Sequence, residues 1–174
     1  MKSFTRWIRG GLAAIAFLAA LVPPIPAHAA AGNWTLYANA KLQSWGAAYN
    51  IGTDTFVMVL LSASYTPAVN TDATWADISA FEVTGTGYTA GGATATLSKA
   101  LSTGTVTVSM TTVSWTSSTI TAKYAAIVRR AGGSLVSGDK LLAYADLNTA
   151  SGSATVSTTN GTLAVSASSG LFTQ

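Results

Sequence analysis

The stretch Phe81 to Leu97, FEVTGTGYTAGGATATL, decides between two fold classes. Gly85, Gly87 and Ala90 fit G-x-G-x-x-A, the spacing that cradles a pyrophosphate in dinucleotide-binding folds. That chemistry needs a strand before the glycines and a helix after them, because the helix N-terminus holds the phosphate. Gly91-Gly92 follows instead, and then the alternating Ala93-Thr94-Ala95-Thr96-Leu97. Neither favours a helix, and no acidic residue lies about 20 positions on to hold a ribose. The stretch therefore reads as a structural turn in a β-protein. Gly85, Gly87, Gly91 and Gly92 supply positive φ or close packing, and Tyr88 lies over a sheet edge. No cofactor is expected.

The same pattern continues on both sides. Thr55 to Leu61 (TFVMVLL) is a continuous apolar run, as in a strand buried on both faces. Ala80 to Thr84 reads as a short strand, and Ala93 to Leu97 and Thr105 to Met110 alternate. From Thr119 to Arg129, Ile120, Ala122, Tyr124, Ala126 and Val128 share one face, with Thr121 and Lys123 on the other. Leu141 to Leu147 is a further strand. Asn160-Gly161 between Ser153–Thr158 and Thr162–Ala167 signals a type I′ hairpin. Phe172 closes the chain with a last strand. One helical spacing occurs, with Trp34, Ala38, Leu42 and Trp45 on one face and Gly46 as the C-terminal cap. Strands recurring at roughly ten-residue spacing predict an all-β, antiparallel β-sandwich or jelly-roll-like domain with one short N-terminal helix.

The N-terminus stands apart. Lys2, Arg6 and Arg9 precede an apolar run, Gly11 to Val22, and Ala27-His28-Ala29 has the form of a cleavage site. Residues 1–29 are thus expected to be a secretory signal peptide, with 30–174 as a single β-sandwich domain. The run falls short of the roughly 20 apolar residues of a membrane span, so no membrane association is expected after cleavage. Export, to the periplasm or the medium, follows.

Removing the leader removes the basic charge. Six basic and six acidic residues remain, so no electrostatic field is left to attract nucleic acid. The one histidine, His28, lies in the leader, and cysteine is absent. The mature chain thus has no ligands for a His/Cys zinc site and no triad histidine. Gly133 to Leu141 (GSLVSGDKL) resembles a P-loop, but Asp139 intervenes before Lys140 and Leu141 follows it, so a hairpin loop is expected. Asp72, Asp77 and Glu82 are close in sequence but form no recognisable acid pair, and capping of turns suits the aspartates better. Trp75 and Trp115 are the candidate surface or ligand aromatics, able to stack on a host-surface glycan if exposed.

Four segments occur in order: VLLSASYTP (Val59–Pro67), FEVTGTGYTAGGAT (Phe81–Thr94), VSWTSSTITAKYAAIV (Val113–Val128) and LLAYADL (Leu141–Leu147). Together they resemble a family of small β-rich structural proteins of tailed bacteriophages and prophages. The resemblance spans about Trp34 to Phe172. It implies a non-enzymatic virion component (a decoration, head-fibre or tail-associated protein) that contacts copies of itself or other virion proteins. It implies no catalytic residues. The leader departs from that family, whose members assemble in the cytoplasm, and it keeps a second expectation open: a secreted adhesin or carbohydrate-binding module.

Overall fold

The computed structural model describes residues 27–29, 31, 33–44, 46, 48–149, 154–167 and 170–173. Most of the expected leader, and Trp45 of the expected helix face, lie outside them. In chain order the elements are β1 (Ala27–Ala29), β2 (Thr35–Leu36), α1 (Ala38–Ser44), β3 (Thr55–Leu61), α2 (Trp75–Ile78), β4 (Ala93–Ala95), β5 (Leu97–Ser102) and β6 (Thr105–Met110). They continue with β7 (Val113–Ser118), β8 (Thr121–Ala122), β9 (Tyr124–Arg130), β10 (Lys140–Asp146), β11 (Val156–Ser157), β12 (Gly161–Val165) and β13 (Phe172–Thr173). The protein is all-β and sandwich-like.

The central sheet runs β2-β10-β9-β3-β4, and its pairs are antiparallel. TFVMVLL lies at its heart, with every residue from Phe56 to Leu61 buried. A strand flanked on both edges and covered on both faces has no polar side to write into its sequence. Each such side chain stabilises the fold by about 1.5–3 kcal/mol. β9 repeats the logic with Ala125, Ala126, Ile127 and Val128, whose small residues let layers approach from both faces. The sheet β1-β12-β7 adds Val113, Trp115, Leu163 and Val165 to the same core. A third sheet, β13-β6-β5, carries a hairpin, and β8 pairs with β11.

Several expectations are corrected. Among the described residues two α-helices form, not one. Asp77 accepts hydrogen bonds from the Ala73 and Thr74 N–H groups at 2.9 and 2.8 Å, which starts α2 where no helix was expected. In α1 the buried residue is Ala40, and Leu42 is 74% exposed, so the apolar face is not the expected one. Ala80–Thr84 is no strand. A 3-10 turn spans Ser79–Phe81, and Glu82 then makes a single bridge to Leu61. The long strand from Thr119 breaks at Lys123, between β8 and β9. Asn160 takes φ +49°, but Gly161 is already in β12, and β11 and β12 pair with β8 and β7 rather than with each other. One pair is parallel, β1 with β12. It places Ala27–Ala29, the expected end of the leader, alongside Leu163–Val165.

Candidate functional site

The glycine stretch folds back over the free part of the β3 edge. β4 covers only Phe56 to Met58 there, leaving the Leu60 N–H beyond its end. The Tyr88 hydroxyl takes that N–H at 3.1 Å and donates its own proton to Glu82 Oε1 at 2.8 Å. The Gly91 N–H donates to the same oxygen at 2.7 Å. Burial raises the Tyr88 phenol above its ordinary pKa; the Leu60 N–H opposes this and the nearby Glu82 charge adds to it. Glu82 thus ties both ends of the turn together, a role that nothing local in the sequence signals.

The glycines do what a turn over a strand demands. Gly92 sits at φ +73°, and a Cβ there would overlap the Met58 carbonyl oxygen. A Cβ on Gly85 would overlap the Thr119 carbonyl oxygen, without any positive φ. Gly87 and Gly91 have φ of +77° and +88°. β4 follows where a phosphate-binding helix would have to begin.

The tryptophans are corrected as surface aromatics. Trp75 is 9% exposed and Trp115 is 5% exposed. The Trp115 ring lies 5.9 Å from that of Tyr88, beneath the glycine turn. The backbone of Trp75 is fixed by its main-chain N–H, which donates to the Asp139 carbonyl oxygen at 2.7 Å. The P-loop-like segment is a hairpin loop between β9 and β10. Buried Asp139 organises it by accepting the Ala131 and Val136 N–H groups at 3.0 and 2.8 Å.

Beside the turn lies a shallow cleft of about 360 Å³, lined by Ser62, Glu82, Val83, Thr84, Thr119, Ile120 and Thr121. Val83 and Ile120 are buried and form its apolar floor, while Thr84, Thr119 and Thr121 are exposed. Glu82 is its one charged group among the described residues. Its Oε2 accepts no hydrogen bond from the described residues.

Two polar clusters are structural. Tyr37 donates to the Tyr65 hydroxyl at 2.9 Å, and Tyr65 donates to Asp72 Oδ2 at 2.6 Å. Burial, then the Asp72 carboxylate, pushes the Tyr65 phenol far above its ordinary value. Lys123, 2% exposed, gives its three ammonium protons to Asp146 Oδ1 and Oδ2 and to the Asn148 carbonyl at 2.7–2.8 Å. Those partners hold it inside where strand alternation pointed it outward. At the far end of the sheet Arg129 Nε donates to Asp54 at 2.6 Å. Burial works against the Asp54 charge, but the Asn50 N–H and Arg129 outweigh it and hold the carboxyl below its ordinary pKa.

The β5–β6 hairpin is exposed over much of its length. Thr103 and Gly104 both have positive φ, +48° and +80°, which closes it as a two-residue turn that matches strand twist. Leu97, Lys99 and Leu101 face Met110, Val108 and Val106 across it. That face is core at the base, with Leu97, Val108 and Met110 at 8%, 2% and 8% exposure. At the tip it runs bare: Leu101 is 72% exposed and Val106 37%. β13 pairs with β6 on one side, and no described strand pairs with the outer edge of β5.

Among the described residues, no group of three or more His, Cys, Asp or Glu side chains could hold a metal ion. No helix among them is long and apolar enough to cross a membrane. No protein-family model, curated protein or solved structure matches the chain.

Proposed function

We propose that this is a non-enzymatic structural protein that works by contact between subunits, as a component of a virion or of a particle derived from one. The β5–β6 hairpin is the observation that carries this reading. A strand pair whose buried face continues into solvent with Leu101 and Val106 uncovered is costly in an isolated chain and useful in an assembly. The free edge of β5 offers backbone hydrogen bonds along the same arm. The equal count of acidic and basic residues expected after leader removal lets copies pack without mutual repulsion. The sequence resemblance to phage structural proteins points the same way.

Sedimentation equilibrium tests it. The protein is expected to self-associate, and Leu101→Ser with Val106→Thr is expected to weaken that association while leaving the far-UV circular dichroism unchanged. A strict monomer at high concentration would count against the reading.

A further inference from the structure

We propose that the β5–β6 arm of one copy seats in the Ser62–Glu82–Thr121 cleft of another, with Lys99 facing Glu82; this rests on the self-assembly reading and names its contact. Lys99 is the only charged residue from Leu97 to Met110, and it is exposed. It stands on the same ribbon face as Leu101 and Val106. Glu82 is the only charged residue of the cleft among the described residues. The two charges are opposite, and within one copy they form no ion pair.

The Glu82 carboxylate is also prepared for a partner. Tyr88 and Gly91 both bind Oε1, so the group is held in one orientation with Oε2 unused by the described chain. An ammonium group arriving there meets a fixed acceptor and loses little freedom beyond its own. Around it the cleft offers threonine methyl groups and the Val83–Ile120 floor to the aliphatic stem of Lys99 and to Leu101. The cleft has room for a few side chains, which is what a hairpin face presents. Because arm and cleft are different patches, the contact repeats from copy to copy unless a two-fold axis closes it.

Charge exchange in the cleft tests this without touching Glu82, which the turn needs. Sedimentation velocity would compare the wild-type protein with Lys99→Glu, Lys99→Arg, Thr121→Lys and the Lys99→Glu/Thr121→Lys double variant. Thr121 is exposed and its hydroxyl bonds only Ser157, also exposed, so the lysine is tolerated. Each of K99E and T121K is expected to weaken association by more than about tenfold, because like charges meet. K99R should retain it, and the double variant should regain most of it. Amide hydrogen exchange at 82–84 and 119–121 should slow on association in the wild type, K99R and the double variant, and not in K99E or T121K. Unchanged association of K99E, or no recovery in the double variant, would overturn the arm-in-cleft contact while leaving self-assembly standing. A wild-type monomer would overturn both.

Discussion

Three glycine-to-alanine substitutions separate the two demands that the turn places on its backbone. At Gly91 φ is +88° and a Cβ would meet nothing within 4 Å, so Gly91→Ala feels conformational strain alone. A left-handed alanine costs about 1–2 kcal/mol, and the lost freedom of the unfolded glycine returns about 0.4–1 kcal/mol. The net is about 1 kcal/mol. At Gly85 no positive φ is involved, but the Cβ would overlap the Thr119 carbonyl. Overpacking of this kind costs about 1–3 kcal/mol, for a net of about 1–2 kcal/mol. Gly92 combines φ +73° with overlap on the Met58 carbonyl, which is fixed in the central strand and cannot yield. Adding the two terms predicts about 2–4 kcal/mol. Urea unfolding followed by tryptophan fluorescence would measure all three. With a slope of about 2 kcal/mol per molar urea, the Gly92→Ala midpoint should fall by about 1–2 M and the Gly91→Ala midpoint by about 0.5 M. If Gly92→Ala costs no more than Gly91→Ala, the turn does not press on Met58 and the account of the stretch fails. A Gly85→Ala protein as stable as wild type would refute the close approach to Thr119.

Alkaline pH offers a second test. Tyr37 and Tyr65 are raised well above their ordinary value of 10, chiefly by burial, and burial pushes Tyr49 up to about 12 despite Arg129. The unfolded chain therefore loses these phenolic protons first. Their stabilisation is complete below pH 10 and declines as pH rises toward the folded values, by about 1.4 kcal/mol per pH unit for each buried tyrosine. Absorbance at 295 nm and circular dichroism should change together, and normal titration of all six tyrosines in a folded protein would contradict the burial. Asp146→Ala leaves the Lys123 ammonium buried without its counter-charge and should cost about 3 kcal/mol or more in thermal unfolding, whereas Lys123→Met should cost less, since it removes the buried charge itself. Equal losses would mean that the pair acts through packing alone. Mass spectrometry of purified particles and particle-free culture medium is expected to find, in the particles, a peptide beginning at Ala30. That processing would remove β1 and free the edge of β12 at Leu163–Val165; the same peptide in the medium only would move the secreted-adhesin reading ahead.

By itself, the sequence determined the class of fold and the identity of the central strand. TFVMVLL could only be a strand covered on both faces, and Gly91-Gly92 before an alternating ATATL left no helix for a phosphate. Those are local properties: backbone freedom at glycine, β-branching and the period of the apolar residues act over a few neighbours. The functions of Glu82, Lys123 and the tryptophans were not local. Glu82 ties Tyr88 to Gly91 only because the turn folds over the β3 edge beyond the end of β4. Lys123 turns inward because β10 brings Asp146 beside it. A lone lysine inside an apolar run was a signal of such a buried pair, but not of its partner. Trp75 and Trp115 could have faced solvent or core by sequence alone; their places under the Asp139 loop and the glycine turn decided it. The arm reads the other way. Leu97 and Leu101 follow one strand alternation, yet one is buried and the other bare. Period assigns a residue to a face, and only the packing of distant segments determines how far that face is covered.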